Sequence, residues 1–150
     1  MTPRWRVGVW PGRMPNERQV SAGAGVTVAH AAAVAVGASV GALLRWAAGL
    51  TLNSLWAGFP IGTLLVNCIG GLLIGVAMVW FSRSPDELLR LLLVTGLLGG
   101  FTTFSSFSAE SLGLIQRGDI ALALLHSAAH LLGALACTAI GFGLARLFLR

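Results

Sequence analysis

Four long apolar runs joined by links of a few residues constrain this chain more than any other feature of its sequence. They cover about residues 27 to 50, 60 to 82, 88 to 116 and 120 to 149. Each reaches or exceeds the roughly 20 residues that a helix needs to cross a bilayer core. Lipid offers the backbone no hydrogen bonds, so such runs satisfy their own amides and carbonyls by becoming helices. The links are turn-forming: Thr51 to Phe59 carries Asn53, Ser54 and Gly58; Arg83 to Glu87 carries Ser84, Pro85 and Asp86; Arg117, Gly118 and Asp119 make the third. Short links leave consecutive helices as antiparallel neighbours. The expected fold is an all-α membrane protein with four transmembrane helices, one domain over 27–150 preceded by a basic tail at 1–26.

Composition agrees. The 150 residues are 56% hydrophobic and 10% charged, with mean hydropathy +0.84, which sets the chain apart from a soluble domain. The net charge of +5 comes from arginine alone, and Arg4, Arg6, Arg13 and Arg18 crowd the first 20 residues. That tail has no apolar periodicity and reads as a solvated segment touching lipid headgroups, with Trp5 and Trp10 at the interface. So apolar a chain is no candidate for nucleic-acid binding. The run from Val26 continues to Leu50, past the core of a signal peptide, so a retained first span is expected. Cys68 and Cys137 fall inside apolar runs and read as small packing residues, not as a disulfide framework.

The third run breaks its own helix. In GLLGGFTTFSSFSAE, residues 96 to 110, Gly99 and Gly100 weaken it, and Thr102, Thr103, Ser105, Ser106 and Ser108 offer the backbone competing hydrogen bonds. Non-helical backbone at membrane depth persists only where protein buries it or a watery cavity satisfies it. A break here aims bare carbonyls and amides at something polar, and an ion is the expected occupant.

Polar residues mark the faces of the other spans. Gly37, Gly41, Arg45 and Gly49 recur every four residues in the first, where the glycines allow close helix approach. Arg45 either snorkels to the interface or places a positive charge at the mouth of an anion pathway. In the second span Thr63 and Asn67 share a face, followed by Gly70, Gly71 and Gly75. Asn67 is inter-helix glue or an anion ligand, its amide carrying two donors. Phe104 and Phe107 share a face of the third span, as core or as ring edges of positive character turned to an anion. Glu110, near the end of that span, is expected at the interface or paired with an arginine. The fourth span aligns His126, His130, Gly133, Cys137 and Gly141. The two histidines could bond other helices, wall an ion path, or join Cys137 in ligating a metal.

Taken together, GALLRW in the first span, GTLLVNCIGGLLIG in the second and GLLGGFTTFSSFSAE in the third resemble the Fluc (CrcB-type) family of bacterial fluoride channels, over about Gly37 to Gly141. The resemblance implies an antiparallel, dual-topology dimer of four-helix subunits in the bacterial cell membrane, passing fluoride through two pathways around one central structural sodium ion. It implies backbone carbonyls of Gly99 and Thr102 as the sodium ligands. It implies a fluoride pathway lined by Asn67, Phe104, Phe107, Thr63, Ser105 and Ser106, with Arg45 on the first helix. Where the family commonly carries a tyrosine and a serine on the fourth helix, the register lands on His126 and His130.

The resemblance therefore gives a passive fluoride channel, not an enzyme. A proton-coupled multidrug exporter of four helices is the first alternative, but it needs a titratable carboxylate near the membrane centre, and the first, second and fourth spans have none. A metal transporter and a non-transporting subunit are further alternatives; a serine hydrolase lacks its GxSxG turn. Four spans put both termini on one side, with Arg4, Arg6, Arg13, Arg18, Arg83, Arg90, Arg146 and Arg150 against Arg117 and Arg45 on the other. By the positive-inside rule that bias orients the chain. The second subunit is then either an oppositely oriented paralogue or a second copy.

Overall fold

The computed structural model describes residues 27–53 and 58–149. The basic tail, with Trp5 and Trp10, lies outside the described residues, as do Ser54 and Arg150. Four helices are long and apolar enough to cross a membrane: α1 (Val28–Leu52), α2 (Ile61–Arg83), α3 (Glu87–Gln116) and α4 (Ile120–Phe148). Among the described residues there is no strand. The chain is a multi-pass membrane protein.

Local chemistry starts and stops these helices. Thr27 caps α1 through a reciprocal pair with His30, each side chain accepting from the other's backbone N–H, which satisfies two end groups that the helix cannot. Asn53 closes α1 and also accepts from Gly62 N at 2.8 Å, so its Oδ1 opens α2. Asp86 accepts from Leu89 N at 2.9 Å at the start of α3. Gly118, at φ 84°, turns the chain into α4 through left-handed backbone that glycine adopts without strain.

Small residues bring the helices together in two tight pairs, α1 with the first half of α3 and α2 with α4. A Cβ on Gly41 would strike the Leu97 carbonyl, and one on Gly100 would lie 2.5 Å from the Ala38 carbonyl. The glycine spacing of four on α1 therefore meets Gly96 and Gly100 at the same spacing on α3, backbone against backbone. Gly75 and Gly141 do the same between α2 and α4, against Thr138 and Leu72. Few hydrophobic side chains are buried, Val66, Leu98 and Leu114 among them, while Leu43, Leu50, Leu124 and Leu132 face outward. An apolar exterior and a polar-dotted interior is the arrangement that lipid favours.

The third span is broken, and the break falls on the threonine pair. Leu91–Leu98 forms a widened π-helix, with Gly99 N donating back to Val94 O. One further helical turn, Gly99–Phe101, ends at Thr102 (φ −77°, ψ 158°). Thr103 (φ −150°, ψ 120°) then caps a new helix, Phe104–Gln116. Gly99 and Gly100 remain helical, so their value is access, not disruption. The hydroxyls do the breaking: Thr102 Oγ1 returns to Leu98 O at 2.9 Å, and Thr103 Oγ1 accepts from Ser106 N at 3.1 Å.

Candidate functional site

Asn67 holds the break open. Its Nδ2 donates to Thr103 O at 3.0 Å and its Oδ1 accepts from Thr103 N at 2.9 Å. In a continuous helix that N–H would bond the Gly99 carbonyl, so the Asn67 amide takes the place of a helical turn and frees a carbonyl. One residue on, the Gly100 carbonyl accepts from Arg45 Nε at 3.0 Å. Arg45 thus points inward to the broken segment instead of snorkelling away.

The helix after the break, Phe104–Gln116, carries the aromatic part. Phe104 and Phe107 pack with ring centroids 5.2 Å apart. Phe107 stacks on His130 at 4.8 Å and on His126 at 5.6 Å. Phe104, 79% exposed, projects into an open groove of about 680 Å³ that is also lined by Asn67, Thr103, Phe107 and His130. A second recess, about 240 Å³, lies between Arg45, Thr63, Thr103, Ser106 and Glu110. The two meet at Thr103.

Where they meet, α2, α3 and α4 bury a polar cluster. His126 is 0% and His130 4% exposed. Thr63 Oγ1 donates to Glu110 Oε1 at 2.5 Å, and Glu110 Oε2 lies 3.5 Å from His126 Nε2. Ser111 Oγ bonds His126 Nδ1 at 2.9 Å, and Asn67 Nδ2 meets His130 Nδ1 at 3.2 Å. Three buried atoms, Glu110 Oε2, His126 Nε2 and His130 Nε2, have no hydrogen-bond partner among the described residues. The three residues cluster, each bringing one ligand atom within 4.8 Å of the others. Buried polar atoms left unpaired are costly, which points to an occupant.

The structure thus brings Thr63, Asn67, Phe107, His126 and His130 to one place, with Arg45, Ser106 and Phe104 at its approaches. Ser105 stands at the exposed edge, 3.2 Å from Thr103 Oγ1. One expectation is corrected and one alternative is set aside. The ion-pair contact of Glu110 is His126 and not an arginine, because the helical spacing from Phe107 turns the carboxylate toward the same neighbour. Cys137 does not join the histidines; it sits beside Cys68, two helical turns or about 10 Å along α4 from His130. Both cysteines are free. Sequence reasoning named Thr103 for the break but not as the junction of the two recesses, and it missed Ser111, though the run of hydroxyls from Thr102 onward was the available signal.

The family model described as CrcB-like protein, Camphor Resistance (CrcB), matches residues 32–142. A curated relative from Aromatoleum aromaticum, named fluoride-specific ion channel FluC, is 50% identical over 112 residues, covering 73% of this chain and 86% of the relative. Proteins of the same name from Bordetella petrii and Pseudomonas putida are each 53% identical over 111 residues, covering 73% of this chain and 85% and 87% of theirs.

Proposed function

Since the chain belongs to the CrcB-like family, we propose that it is a passive, fluoride-selective ion channel of the bacterial plasma membrane, through which cytoplasmic fluoride leaves. The observation that carries the reading is the buried cluster of N–H and O–H groups against the Phe107 ring, placed where the two recesses meet. A fluoride ion entering past Arg45 meets Thr63 and Ser106, then Asn67 and His130, then the edges of Phe107 and Phe104. Hydroxyl and imidazole donors replace its water, and ring edges attract it without the depth of a full charge. His126 walls the same passage, and Ser105 flanks its outer edge.

The break in α3 supports a sodium site. With Thr103 N–H turned to Asn67 and Ser106 N–H turned to Thr103 Oγ1, the helical donors of the Gly99 and Thr102 carbonyls are both diverted. Neutral carbonyl oxygens suit a hard monovalent cation. Gly99 and Thr102 would hold sodium through these atoms, and the bound ion would supply a fixed positive charge beside the anion path.

The open groove supports a second subunit. Phe104, Leu131 and Leu135 are exposed along it, and an antiparallel partner would close it into a pathway. That partner is a second copy or an oppositely oriented paralogue, and lipid covers the remaining apolar face. Cysteine labelling from each side of intact cells at position 54 separates them, since comparable labelling from both sides requires a dual-topology homodimer.

Fluoride efflux from liposomes that contain the purified protein tests the reading. Efflux that starts only when valinomycin lets potassium follow marks an electrogenic passive path. Efflux that needs an opposing proton gradient instead would identify a coupled carrier.

A further inference from the structure

We infer that His130 is a tautomer-locked anion ligand: Asn67 fixes its proton on Nε2, and that N–H donates to the permeating halide. The inference deepens the channel reading and rests on it. Asn67 cannot be turned over, because Nδ2 faces Thr103 O and Oδ1 faces Thr103 N; a flipped amide would set oxygen against oxygen and N–H against N–H. The second Nδ2 hydrogen is therefore the one aimed at His130 Nδ1, 3.2 Å away. An amide N–H requires a lone pair opposite it, so Nδ1 carries no proton. In a neutral imidazole the proton then sits on Nε2. The alternative tautomer and the doubly protonated ring both put donor against donor at Asn67.

The Nε2 atom so defined is buried and has no acceptor. His130 belongs to the cluster with Glu110 and His126, and Phe107 stacks on its ring. A zinc-class cation is the rival occupant of two histidines and a carboxylate, since it takes three protein ligands in open sites. It needs a lone pair on His130 Nε2, where the Asn67 lock places a proton. An anion needs the proton. The rings of Phe107 and His126 pack on His130, and Glu110 stands in the same cluster with Oε1 held by Thr63 and Oε2 3.5 Å from His126 Nε2. No hydrogen bond reaches His130 Nε2 among the described residues, which leaves its N–H as a donor in the lining of the groove. Asn67 then acts twice, holding the break and setting the donor, while both of its own amide hydrogens are occupied.

Imidazole nitrogen NMR on the full-length protein in lipid nanodiscs, labelled with ¹⁵N-histidine, tests this, with liposome flux measured on the same preparation. His130 should show a protonated Nε2 and a bare Nδ1, and added sodium fluoride should shift the Nε2–H signal. Asn67→Asp should move the proton to Nδ1, because the carboxylate oxygen facing that atom accepts. In flux, His130→Gln keeps an N–H₂ donor near the Nε2 position and should retain clearly more flux than His130→Leu, which has none. His130→Leu should lose roughly tenfold or more, the equivalent of one hydrogen bond to a charged partner. A proton on Nδ1 in the parent protein overturns the inference. So does an Nε2 signal that ignores fluoride in a preparation with full flux, or one that responds saturably to zinc. Absent flux with the Nε2 tautomer intact would refute the channel reading and leave the lock standing.

Discussion

Replacing Asn67 by leucine keeps the branched outline of the side chain and removes every hydrogen bond that Asn67 makes to the break in α3 and to α4. Three contacts vanish: Nδ2 to Thr103 O, Thr103 N to Oδ1, and Nδ2 to His130 Nδ1. Inter-helix hydrogen bonds inside membranes average about 0.6 kcal/mol each, so the three together are worth about 2 kcal/mol. His130 adds to that cost. It is 4% exposed, and an Nδ1 abandoned by Asn67 is a buried polar atom that has lost its partner. Thr103 is half-buried and recovers part of its loss, which holds the expected destabilisation to about 2–3 kcal/mol. Unfolding of the purified protein in mixed micelles across a series of SDS fractions reads this directly, with fluoride flux from liposomes as the second readout. Both should fall. A change below about 0.5 kcal/mol, within the range of an ordinary surface substitution, would mean that the break is held elsewhere and that the Asn67 contacts are incidental.

Phe107→Ile should cut flux more than Phe104→Ala, because Phe107 stacks on both histidines while Phe104 stands at the open edge; full flux in both would make the rings mere packing. Gly41→Val should leave little folded protein, since its Cβ strikes the Leu97 carbonyl, whereas Gly113→Ala, with nothing among the described residues within 4 Å, should be silent in a thermal melt of the two variants. Gly99→Pro should abolish any sodium dependence of dimer stability by changing carbonyl geometry, and Thr102→Val should preserve it; the reverse order would assign the cation to side chains.

Hydropathy made the four spans legible to within one or two residues at most ends, because a membrane imposes length and apolarity directly. The break in α3 was legible as well, from its hydroxyls. Its exact seat was not, because Gly99 and Gly100 weaken an isolated helix but here both stay helical, Gly100 serving the close contact with Ala38, a tertiary fact. The π-helical stretch at Leu91–Leu98 left no mark in a run of leucines. Thr63, Asn67, Phe107 and the histidines could each be singled out as polar or aromatic residues on a helical face. Their meeting with Glu110 could not, since it joins positions 47 residues apart in one hydrogen bond and 63 in another. Cys137 was legible too: an apolar run marks it as a packing residue, and it lies beside Cys68, away from the histidines with which its spacing along one helix could have grouped it.

The central claim is a passive path for fluoride, and current through a planar bilayer containing the purified protein tests it most directly. With a tenfold fluoride gradient and equal pH on both sides, the reversal potential should lie near about 60 mV, the Nernst value for one monovalent charge. It should stay there when a pH gradient is imposed or when chloride is raised on one side. A reversal potential that follows protons or chloride, or the absence of current in preparations that still hold folded protein, would contradict the account.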